Sequence, residues 1–292
     1  MAELLGLLAE ASRLHSGMKC WLVQERAHRG SSHDVFRIEF SDSTQWAMRV
    51  CRGPHDWPAE LRAVKTLDQI KHRHPRIRAP QVHGTKHPVW FMEWIEGSPM
   101  ESWSRELSQR ARQGFLDDMA DFLLQLWSTP APVPTYPTPV TPYSAWLTDS
   151  IDRGLRRTLS GDARWGDAMD YLIMRSMVAY YSIAVDEYTQ IGIAHGDLST
   201  HNIMVDSSLR VTGVIDWDWL YLAPLPAVIH HPWFIADVPG WKKDWNHDGQ
   251  TFEWDREYLE LAEKQLQIVL SKHPRYADLT GVQRIRQMLK EG

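Results

Sequence analysis

The chain has 292 residues, of which 43% are hydrophobic and 24% charged, the composition of an ordinary folded protein with one or two domains. Its net charge of −5 argues against a nucleic-acid-binding protein that relies on a basic surface. No apolar run approaches the ~20 residues that a membrane-spanning helix needs, so no membrane partner is expected. The chain contains 2 cysteines without CxxC spacing, which excludes a disulfide framework and predicts a reducing, cytoplasmic location.

The first residues predict an amphipathic helix. Leu4, Leu7, Leu8, Ala11 and Leu14 recur at the spacing of one helical face. The segment also lacks the basic start of a signal peptide, so we do not interpret it as a secretion signal.

A β-hairpin is predicted next. Apolar and polar residues alternate in DVFRIEF (34–40) and again in QWAMRV (45–50). In the second strand the alternation places Arg49 on the face opposite Trp46 and Met48. Four turn-forming residues, SDST, separate the two strands, which favours a hairpin.

A helix is predicted to start near Pro58, since proline suits the first helical position. Glu60, Val64 and Leu67 would lie on one side of that helix. A further strand is predicted over PVWFMEWIEG (88–97), and Gly97 and Pro99 would end it.

The rest of the chain reads mainly as helices. Helical periodicity marks residues 103–127, 164–190 and 252–272. Between them, NIMVDSSLRVTGVID (202–216) predicts two short strands around an Asp-Ser-Ser turn, and the proline-rich stretch 128–143 predicts an extended surface loop. The fold class is therefore α+β, with a β-rich lobe over residues 1–96 and a mainly helical lobe over 97–292, and a cleft is expected at the connector.

Acidic and amide residues cluster around the short strand pair. The stretch HGDLSTHN (195–202) contains Asp197 and Asn202, and Asp216 ends the second strand. Pairing of the strands would bring Asn202 and Asp216 together, and their oxygens suit Mg²⁺. Asp197 would then orient or deprotonate a hydroxyl group, the arrangement that phosphoryl transfer from ATP requires.

These motifs resemble a known family. HGDLSTHN fits the pattern H-x-D-x-x-x-x-N, and IDWD (215–218) fits the metal-binding acidic motif that follows it in kinase-like folds. With Gly196 and Trp217 in place, the pattern resembles the aminoglycoside phosphotransferase family, to which choline and ethanolamine kinases are similar. The likeness extends loosely over residues 18–275 and is sharp at 193–219. It implies a two-lobed protein-kinase-like fold that uses ATP and Mg²⁺.

The resemblance assigns roles in the catalytic loop. It implies Asp197 as the catalytic base, with His195 bracing the loop. It makes Asn202 and Asp216 the metal ligands. Asp218 is interpreted as a solvated turn residue in preference to a second acid that supports the site.

The resemblance also places the nucleotide. FMEWIEG (91–97) resembles the family's interlobe connector, where backbone groups near Glu93, Trp94 and Ile95 would hold the adenine. RGSSHDVF (29–36) stands where the phosphate-covering loop belongs, although it is no GxGxxG. The residues expected there are Gly30, Ser31 and Ser32, which offer amide or hydroxyl donors to phosphate.

Arginine replaces a residue that is usually lysine in the family. Arg49 stands where the lysine would contact the α- and β-phosphates, and Glu60 is the matching helix acid. Arginine stays charged and grips phosphate with two parallel donors, so the role is chemically feasible. Taken singly, Glu60 also fits an acid of a first helical turn, and Arg49 a surface strand residue.

The sequence thus predicts an ATP- and Mg²⁺-dependent phosphotransferase acting on a hydroxyl of a small molecule: an amino sugar, an amino alcohol or a natural product. Protein partners cannot be read from it. Three alternatives remain open. The first is a pseudokinase-like binding scaffold. The second is a choline-type kinase whose tryptophan-rich stretch 233–245 attracts a cationic head group. The third is an enzyme that uses ATP to activate a carboxylate.

Overall fold

The computed structural model describes residues 2–24, 26–30, 32–53, 57–104, 106–131, 141–162, 166–235 and 256–291. Within these ranges, no helix combines the length and the apolar character needed to cross a membrane. Of the predicted segments, Ser31, residues 132–140 of the proline-rich stretch and residues 236–245 of the tryptophan-rich stretch lie outside the described residues.

Strands are concentrated in the first hundred residues. Their bounds are β1 Cys20–Leu22, β2 His28–Arg29, β3 His33–Phe40, β4 Gln45–Cys51, β5 Val82–Lys86, β6 Val89–Glu93, β7 Ser98–Pro99, β8 Ile191–Ala194, β9 Ile203–Val205, β10 Val211–Val214 and β11 Tyr221–Pro224.

Helices dominate the remainder. Their bounds are α1 Ala2–Leu14, α2 Trp57–Arg73, α3 Gln109–Trp127, α4 Tyr143–Leu159, α5 Ala168–Tyr181, α6 Leu225–Val228, α7 Arg256–Lys272 and α8 Thr280–Glu291. The predicted helices over 103–127 and 164–190 correspond to α3 and α5, which start later, and α5 ends earlier, at Tyr181. The predicted helix over 252–272 corresponds to α7, and its residues 252–255 lie outside the described residues. Ser108 caps α3 and Asp167 caps α5 with their side chains, which sets those starts. Helices α4 and α8 were not predicted.

The chain forms two compact units. The first comprises Met1–Val133, Gly192–Leu222 and His231–Ala236, and the second comprises Pro134–Ile191, Ala223–His230 and Asp237–Gly292. The division into lobes between residues 96 and 97 stays a prediction.

One antiparallel sheet organises the start of the first unit. Its strand order is β1-β3-β4-β6-β5, and β2 pairs with β3. The predicted hairpin is confirmed, since β3 and β4 pair in register from His33 opposite Cys51 to Glu39 opposite Gln45. On one face, apolar residues of the sheet and α1 form a buried cluster that includes Ala11.

Helix α2 covers a second core. It begins at Trp57, beside the predicted Pro58, and buries Glu60, Val64 and Leu67 as the spacing predicted. Val64 and Leu67 join a buried cluster with β6, α3 and the pair β9 and β10. The predicted pairing of those two strands is also confirmed. This core therefore fixes the strand pair that carries the acidic motif.

The second unit has a helical core of its own. Residues from α4, α5, α7 and α8 form a buried cluster that includes Leu155, Leu172 and Leu266. Within it, Arg175 donates through Nε to Asp152 Oδ1 at 2.7 Å and through Nη1 to Gln265 at 2.7 Å. This buried network links three helices of the unit.

A buried carboxylate joins α3 to the strand pair of the first unit. Asp118 is 2% exposed and accepts from Arg210 Nε at 2.7 Å, from Arg78 Nη2 at 2.7 Å and from the Val211 amide at 3.0 Å. Burial opposes the charged form, but these hydrogen bonds and the two arginine charges hold the pKa of Asp118 below its usual value. The turn between β9 and β10 is thereby tied to α3.

We expect Asp118→Asn to lower the free energy of unfolding by about 2–3 kcal/mol, because two arginines lose a charged acceptor and a buried amide loses part of its bonding. Since the pKa of Asp118 is lowered in the folded state, the advantage of the wild type is present above the ordinary carboxyl pKa. It is lost as the pH falls through the lowered value. Urea unfolding of both proteins at neutral and acidic pH measures this.

The control is Asp117→Asn, which changes the exposed neighbour on the same helix, where Asp117 Oδ1 accepts from Gln113 Nε2 at 2.8 Å. It should cost less than about 0.5 kcal/mol. Equal effects of the two substitutions, or an Asp118→Asn effect independent of pH, would contradict the assigned role.

Candidate functional site

A cavity of about 610 Å³ lies within the first unit. Its volume falls in the range of about 300–1,000 Å³ that is typical of small-ligand pockets. Strands β2, β3, β4 and β6, helix α2, the residues after β6 and the two motif segments all contribute to its wall.

Part of the cavity wall is apolar. Val35 of β3, Ala47 of β4 and Met92 of β6 line it from the sheet, and Met204 and Ile215 line it from the strand pair. Ala47 lies opposite Met92 in the ladder, so neighbouring strands supply adjacent apolar contacts. A flat apolar group such as an aromatic base fits a wall of this kind.

A charged cluster occupies another part of the wall. Arg49 donates through Nη1 to Asp218 Oδ1 at 2.7 Å and through Nη2 to Asp216 Oδ1 at 2.9 Å. A second bond runs from Nη2 to Asp218 Oδ2 at 2.5 Å. These contacts span 167 and 169 residues of sequence. One guanidinium thus faces two carboxylates, and the cluster keeps an excess of negative charge.

The excess negative charge affects the pKa of Asp216. Burial, reinforced by the negative charge of Asp218, raises the pKa of the Asp216 carboxyl above its usual value, although Arg49 acts in the opposite direction. A further cation beside Asp216 would favour the ionised carboxylate. The donor set here, a carboxylate with the side-chain amide of Asn202 on the same wall, is of the kind that Mg²⁺ prefers.

Asp216 has an unusual backbone conformation. Its φ of 63° and ψ of 67° lie in the left-handed region, which aspartate tolerates better than most residues. The short turn Trp217–Trp219 follows at once. Trp217 is 3% exposed, donates from its indole nitrogen to the Val214 carbonyl at 2.9 Å, and so anchors this turn.

His195 braces the two motif segments against each other. Its Nε2 lies 2.9 Å from the Ile215 carbonyl oxygen and therefore donates to it, while Nδ1 accepts from the Asp197 amide at 3.3 Å. Burial lowers the pKa of His195 to about 4, so the ring is neutral at physiological pH. The ring also packs edge-on against Trp217 at 4.7 Å. His195 touches loop backbone and another side chain, which is a positioning role.

The close approach of the two segments requires glycine at position 196. Gly196 has a φ of 83°, and a Cβ atom there would lie 2.0 Å from the Trp219 carbonyl oxygen. Any other residue would push the loop away from the turn.

The loop itself is held by an amide. Asn202 Nδ2 donates to the Asp197 carbonyl at 2.8 Å and to Asp197 Oδ2 at 2.9 Å. The Asn202 carbonyl in turn accepts from the Ile215 amide at 2.9 Å, which sets Asn202 next to the acidic turn. Asn202 is buried and lines the cavity, whereas Asp197 is exposed and is joined to the cavity wall through Asn202.

Glu60 is buried with three donors around it. Its Oε1 accepts from His33 Nε2 at 3.0 Å and from the Cys51 thiol at 2.9 Å, and its Oε2 accepts from the Trp90 indole at 2.9 Å. Burial opposes ionisation, yet these hydrogen bonds lower the pKa of Glu60 to about 2. Glu60 is therefore a charged, fully engaged residue and no solvated helix-end acid.

The helix acid Glu60 reaches Arg49 through an intervening side chain and not by a direct ion pair. The imidazole of His33 lies between them, with Nδ1 at 2.9 Å from Arg49 Nη2 and Nε2 at 3.0 Å from Glu60. The cause is the direction of the Arg49 side chain, whose guanidinium reaches the carboxylates of Asp216 and Asp218.

The predicted phosphate-covering loop borders the same cavity. Gly30 and Ser32 both line it. The Gly30 amide donates to the His33 carbonyl at 2.9 Å, and the Arg52 amide donates to the Ser32 carbonyl at 3.0 Å. Backbone bonds thus shape the loop without the glycine-rich pattern.

The connector residues Glu93, Trp94 and Ile95 also line the cavity. The Glu93 amide donates to the Gln81 carbonyl at 2.8 Å and the Trp94 amide to the Gln45 carbonyl at 3.3 Å. A ligand at this edge would therefore meet two connector amides that already donate within the protein.

Sequence reasoning missed or misjudged two residues. The interpretation of Asp218 as a solvated turn residue is wrong, because both its oxygens accept from Arg49. His33 was not considered at all. The hairpin pattern contained a signal for it, since extending the register by one residue places His33 opposite Cys51, beside the strand position of Arg49.

Comparisons with solved structures give the fold. The chain is 14% identical to APH(2")-IIa in its streptomycin–ATP ternary complex, with a TM-score of 0.50 over 75% of this chain and 72% of that chain. For ADP-bound APH(2'')-Ib the identity is 17% and the TM-score 0.53, over 77% and 72%. For macrolide 2'-phosphotransferase MphH from Brachybacterium faecium the identity is 18% and the TM-score 0.51, over 97% and 96%. The predicted α+β, kinase-like fold is confirmed.

The sequence comparisons concern the family. A search of curated proteins finds no match. The family model described as the phosphotransferase enzyme family (APH) matches residues 23–265, which is most of the chain. The resemblance, expected loosely over residues 18–275, is thus confirmed, and the chain belongs to the phosphotransferase enzyme family.

Proposed function

We propose that this protein transfers the γ-phosphoryl group of ATP, with Mg²⁺ as cofactor, to a hydroxyl group of a small molecule. One observation carries the proposal: Arg49, Asp216 and Asn202 line one cavity, and Asp197 is bonded to Asn202 at its edge. Structurally similar phosphotransferases have been solved with ATP and with ADP bound, which supports a nucleotide as the ligand.

In this proposal the nucleotide occupies the cavity with its base against the apolar wall. Val35, Ala47 and Met92 would contact the base, and the connector at Ile95 would offer it a backbone partner. The phosphates would then lie toward Arg49, whose guanidinium is always charged and can donate to phosphate oxygens. Gly30 and Ser32 border the phosphates from the loop before β3.

Asp216 and Asn202 would hold Mg²⁺. The fit rests on their oxygen donors and on the excess negative charge of two carboxylates beside one guanidinium. When bound, the ion would neutralise charge on the transferring phosphoryl group. The carboxylate of Asp216 contributes the ligand charge, and His195 and Trp217 keep its loop in place.

Asp197 would act on the acceptor hydroxyl. Its Oδ2 accepts from Asn202 Nδ2 at 2.9 Å, which helps to orient the carboxylate. The residue is exposed, so an acceptor approaching from solvent can reach it. A carboxylate in this position orients the hydroxyl and takes its proton as the phosphoryl group is transferred.

The acceptor class stays open. Neighbouring structures are named for aminoglycoside and macrolide substrates, and their likeness at under 20% identity concerns the fold. A choline-type acceptor is the alternative within the same chemistry. Residues 236–245, which the sequence interpretation placed at the acceptor, lie outside the described residues.

We expect Asp197→Asn to reduce phosphoryl transfer by about 10²–10⁴-fold, the contribution of a positioned general base. Mg²⁺–ATP binding should survive, because Asp197 lies outside the cavity wall. The transfer rate is measured as the release of labelled phosphate to water and as its transfer to gentamicin, a macrolide, ethanolamine and choline. Calorimetry measures the binding of Mg²⁺–ATP. The control is Asp68→Asn on the exposed face of α2. Transfer at the wild-type rate in Asp197→Asn would show that the base is misassigned.

Mg²⁺–ATP should raise the melting temperature of the wild type, since a ligand at a hundred times its dissociation constant stabilises the folded state by about 2.7 kcal/mol. In Asp216→Asn the magnesium-dependent part of this shift should vanish. ATP with EDTA provides the metal-free reference. Asp218→Asn also removes a charged acceptor of Arg49, but it keeps both proposed metal ligands. The melting-temperature shift of that variant should therefore still depend on magnesium. Absence of any shift with nucleotide would favour the scaffold alternative.

A further inference from the structure

We propose that His33 is a positioning residue, which joins Glu60 to Arg49 and thereby fixes the guanidinium for a phosphate group. The proposal rests on the proposed function, in which Arg49 contacts the nucleotide. His33 begins β3 on the strand face that also carries Val35, and Val35 lies opposite Arg49 in the ladder. The hairpin register therefore delivers the imidazole to the guanidinium.

The hydrogen bonds fix the protonation of the ring. Arg49 Nη2 lies 2.9 Å from His33 Nδ1, and a guanidinium only donates, so Nδ1 must carry a lone pair. His33 Nε2 lies 3.0 Å from Glu60 Oε1, and an ionised carboxylate only accepts, so Nε2 must carry the proton. This relay from Glu60 through His33 to Arg49 therefore requires the neutral Nε2–H tautomer of His33.

The relay is anchored at the end distant from Arg49. His33 is 5% exposed and Glu60 4%, so neither side chain has water to replace its partner. Glu60 also accepts from the Trp90 indole, so the His33 ring donates to a carboxylate whose orientation is fixed. The carboxylate polarises the imidazole through Nε2–H, which strengthens Nδ1 as an acceptor for Arg49.

The contacts of Asp218 show that the arrangement depends on the guanidinium. Its Oδ2 lies 3.5 Å from His33 Nδ1, and both atoms are acceptors. Arg49 Nη2 carries two hydrogens and lies within hydrogen-bonding distance of both atoms and of Asp216 Oδ1, so its positive charge holds the three acceptors together. When Mg²⁺–ATP engages Asp216, His33 and Asp218 remain to hold Arg49 in place.

A metal ion is the rival occupant of this cluster. Ligand atoms of His33, Cys51 and Glu60 lie within 4.8 Å of one another. An ion on Nε2 would need the lone pair there and would move the ring proton to Nδ1. A protonated Nδ1 cannot accept from Arg49, so the observed bond at 2.9 Å favours the relay over a metal site.

A double-mutant cycle tests the relay. Calorimetry measures the dissociation constant of Mg²⁺–ATP for the wild type, His33→Ala, Arg49→Ala and the double variant. His33→Ala should weaken binding about tenfold, the effect of losing one charge-assisted hydrogen bond. In the Arg49→Ala background the same substitution should change binding less than twofold. Multiplicative losses would overturn the relay, because they would mean that His33 acts independently of Arg49.

Two further variants divide the relay into its halves. Asn places an amide oxygen near the position of Nδ1, and Gln places an amide nitrogen near the position of Nε2. Each keeps one of the two bonds, so His33→Asn and His33→Gln should each bind Mg²⁺–ATP several-fold more weakly than the wild type. Wild-type affinity in His33→Asn would show that the Glu60 bond is unnecessary and would overturn the relay. Melting temperatures without ligand identify any variant that fails to fold.

A measurement without nucleotide separates this inference from the proposed function. Long-range ¹⁵N correlation spectra of the wild type should show His33 as the neutral Nε2–H tautomer, and metal analysis of the same sample should find no bound transition metal. An Nδ1–H ring, a doubly protonated ring or a stoichiometric metal would overturn the relay even in an active enzyme. Failure of the wild type to bind Mg²⁺–ATP would instead sink the proposed function.

Cys51→Ala is the matched control. It removes the other donor to Glu60 Oε1 while the imidazole stays in place. Mg²⁺–ATP affinity should then change less than twofold. A loss as large as that of His33→Ala would show that any perturbation of Glu60 is sufficient and would contradict a specific role of the ring.

Discussion

The ion pairs of the half-buried Arg49 guanidinium are the interactions on which the site depends. The guanidinium forms ion pairs with the carboxylates of both Asp216 and Asp218. It comes from a strand near the start of the chain, while both acids come from a turn almost 170 residues later. These bonds join the sheet to the acidic motif, and they set the charge that any ligand of the cavity meets.

The rest of the first unit keeps these distant segments in register. Trp217 anchors the acidic turn, because its side chain packs in the same core as Val64 and Leu67 of α2. The β9–β10 turn is tied to α3 through Asp118. Rigid neighbours of this kind matter for phosphoryl transfer, because its rate depends mainly on positioning and on charge neutralisation.

Local patterns in the sequence predicted much of this arrangement. Alternation gave the β3–β4 hairpin, turn chemistry gave the β9–β10 pair, and the spacing of Asp197, Asn202 and Asp216 indicated the loop chemistry. These features depend on neighbours in sequence. Helix starts were less accurate, because caps such as Ser108 and Asp167 decide them and periodicity does not.

Long-range partners were beyond such patterns. A sequence shows that Glu60 is on a helix face and Arg49 on a strand face, but the direction of a long side chain is decided by all the charges within its reach. Arg49 turns to Asp216 and Asp218, and His33 fills the space toward Glu60. Asp218 was misread for the same reason, since a turn acid looks solvated until the strand that approaches it is known.

The exchange of lysine for arginine explains why an imidazole belongs in this cluster. A lysine ammonium is a compact point charge that can sit close to one helix carboxylate. A guanidinium is planar and extends its donors in a fixed fork, so its edges need acceptors on more than one side. Here Asp216 and Asp218 supply two of those acceptors, and the neutral ring of His33 supplies another without adding charge. The negative charge of Glu60 is thus linked to Arg49 through a neutral spacer, which leaves the two acids beside the cavity to meet a further cation.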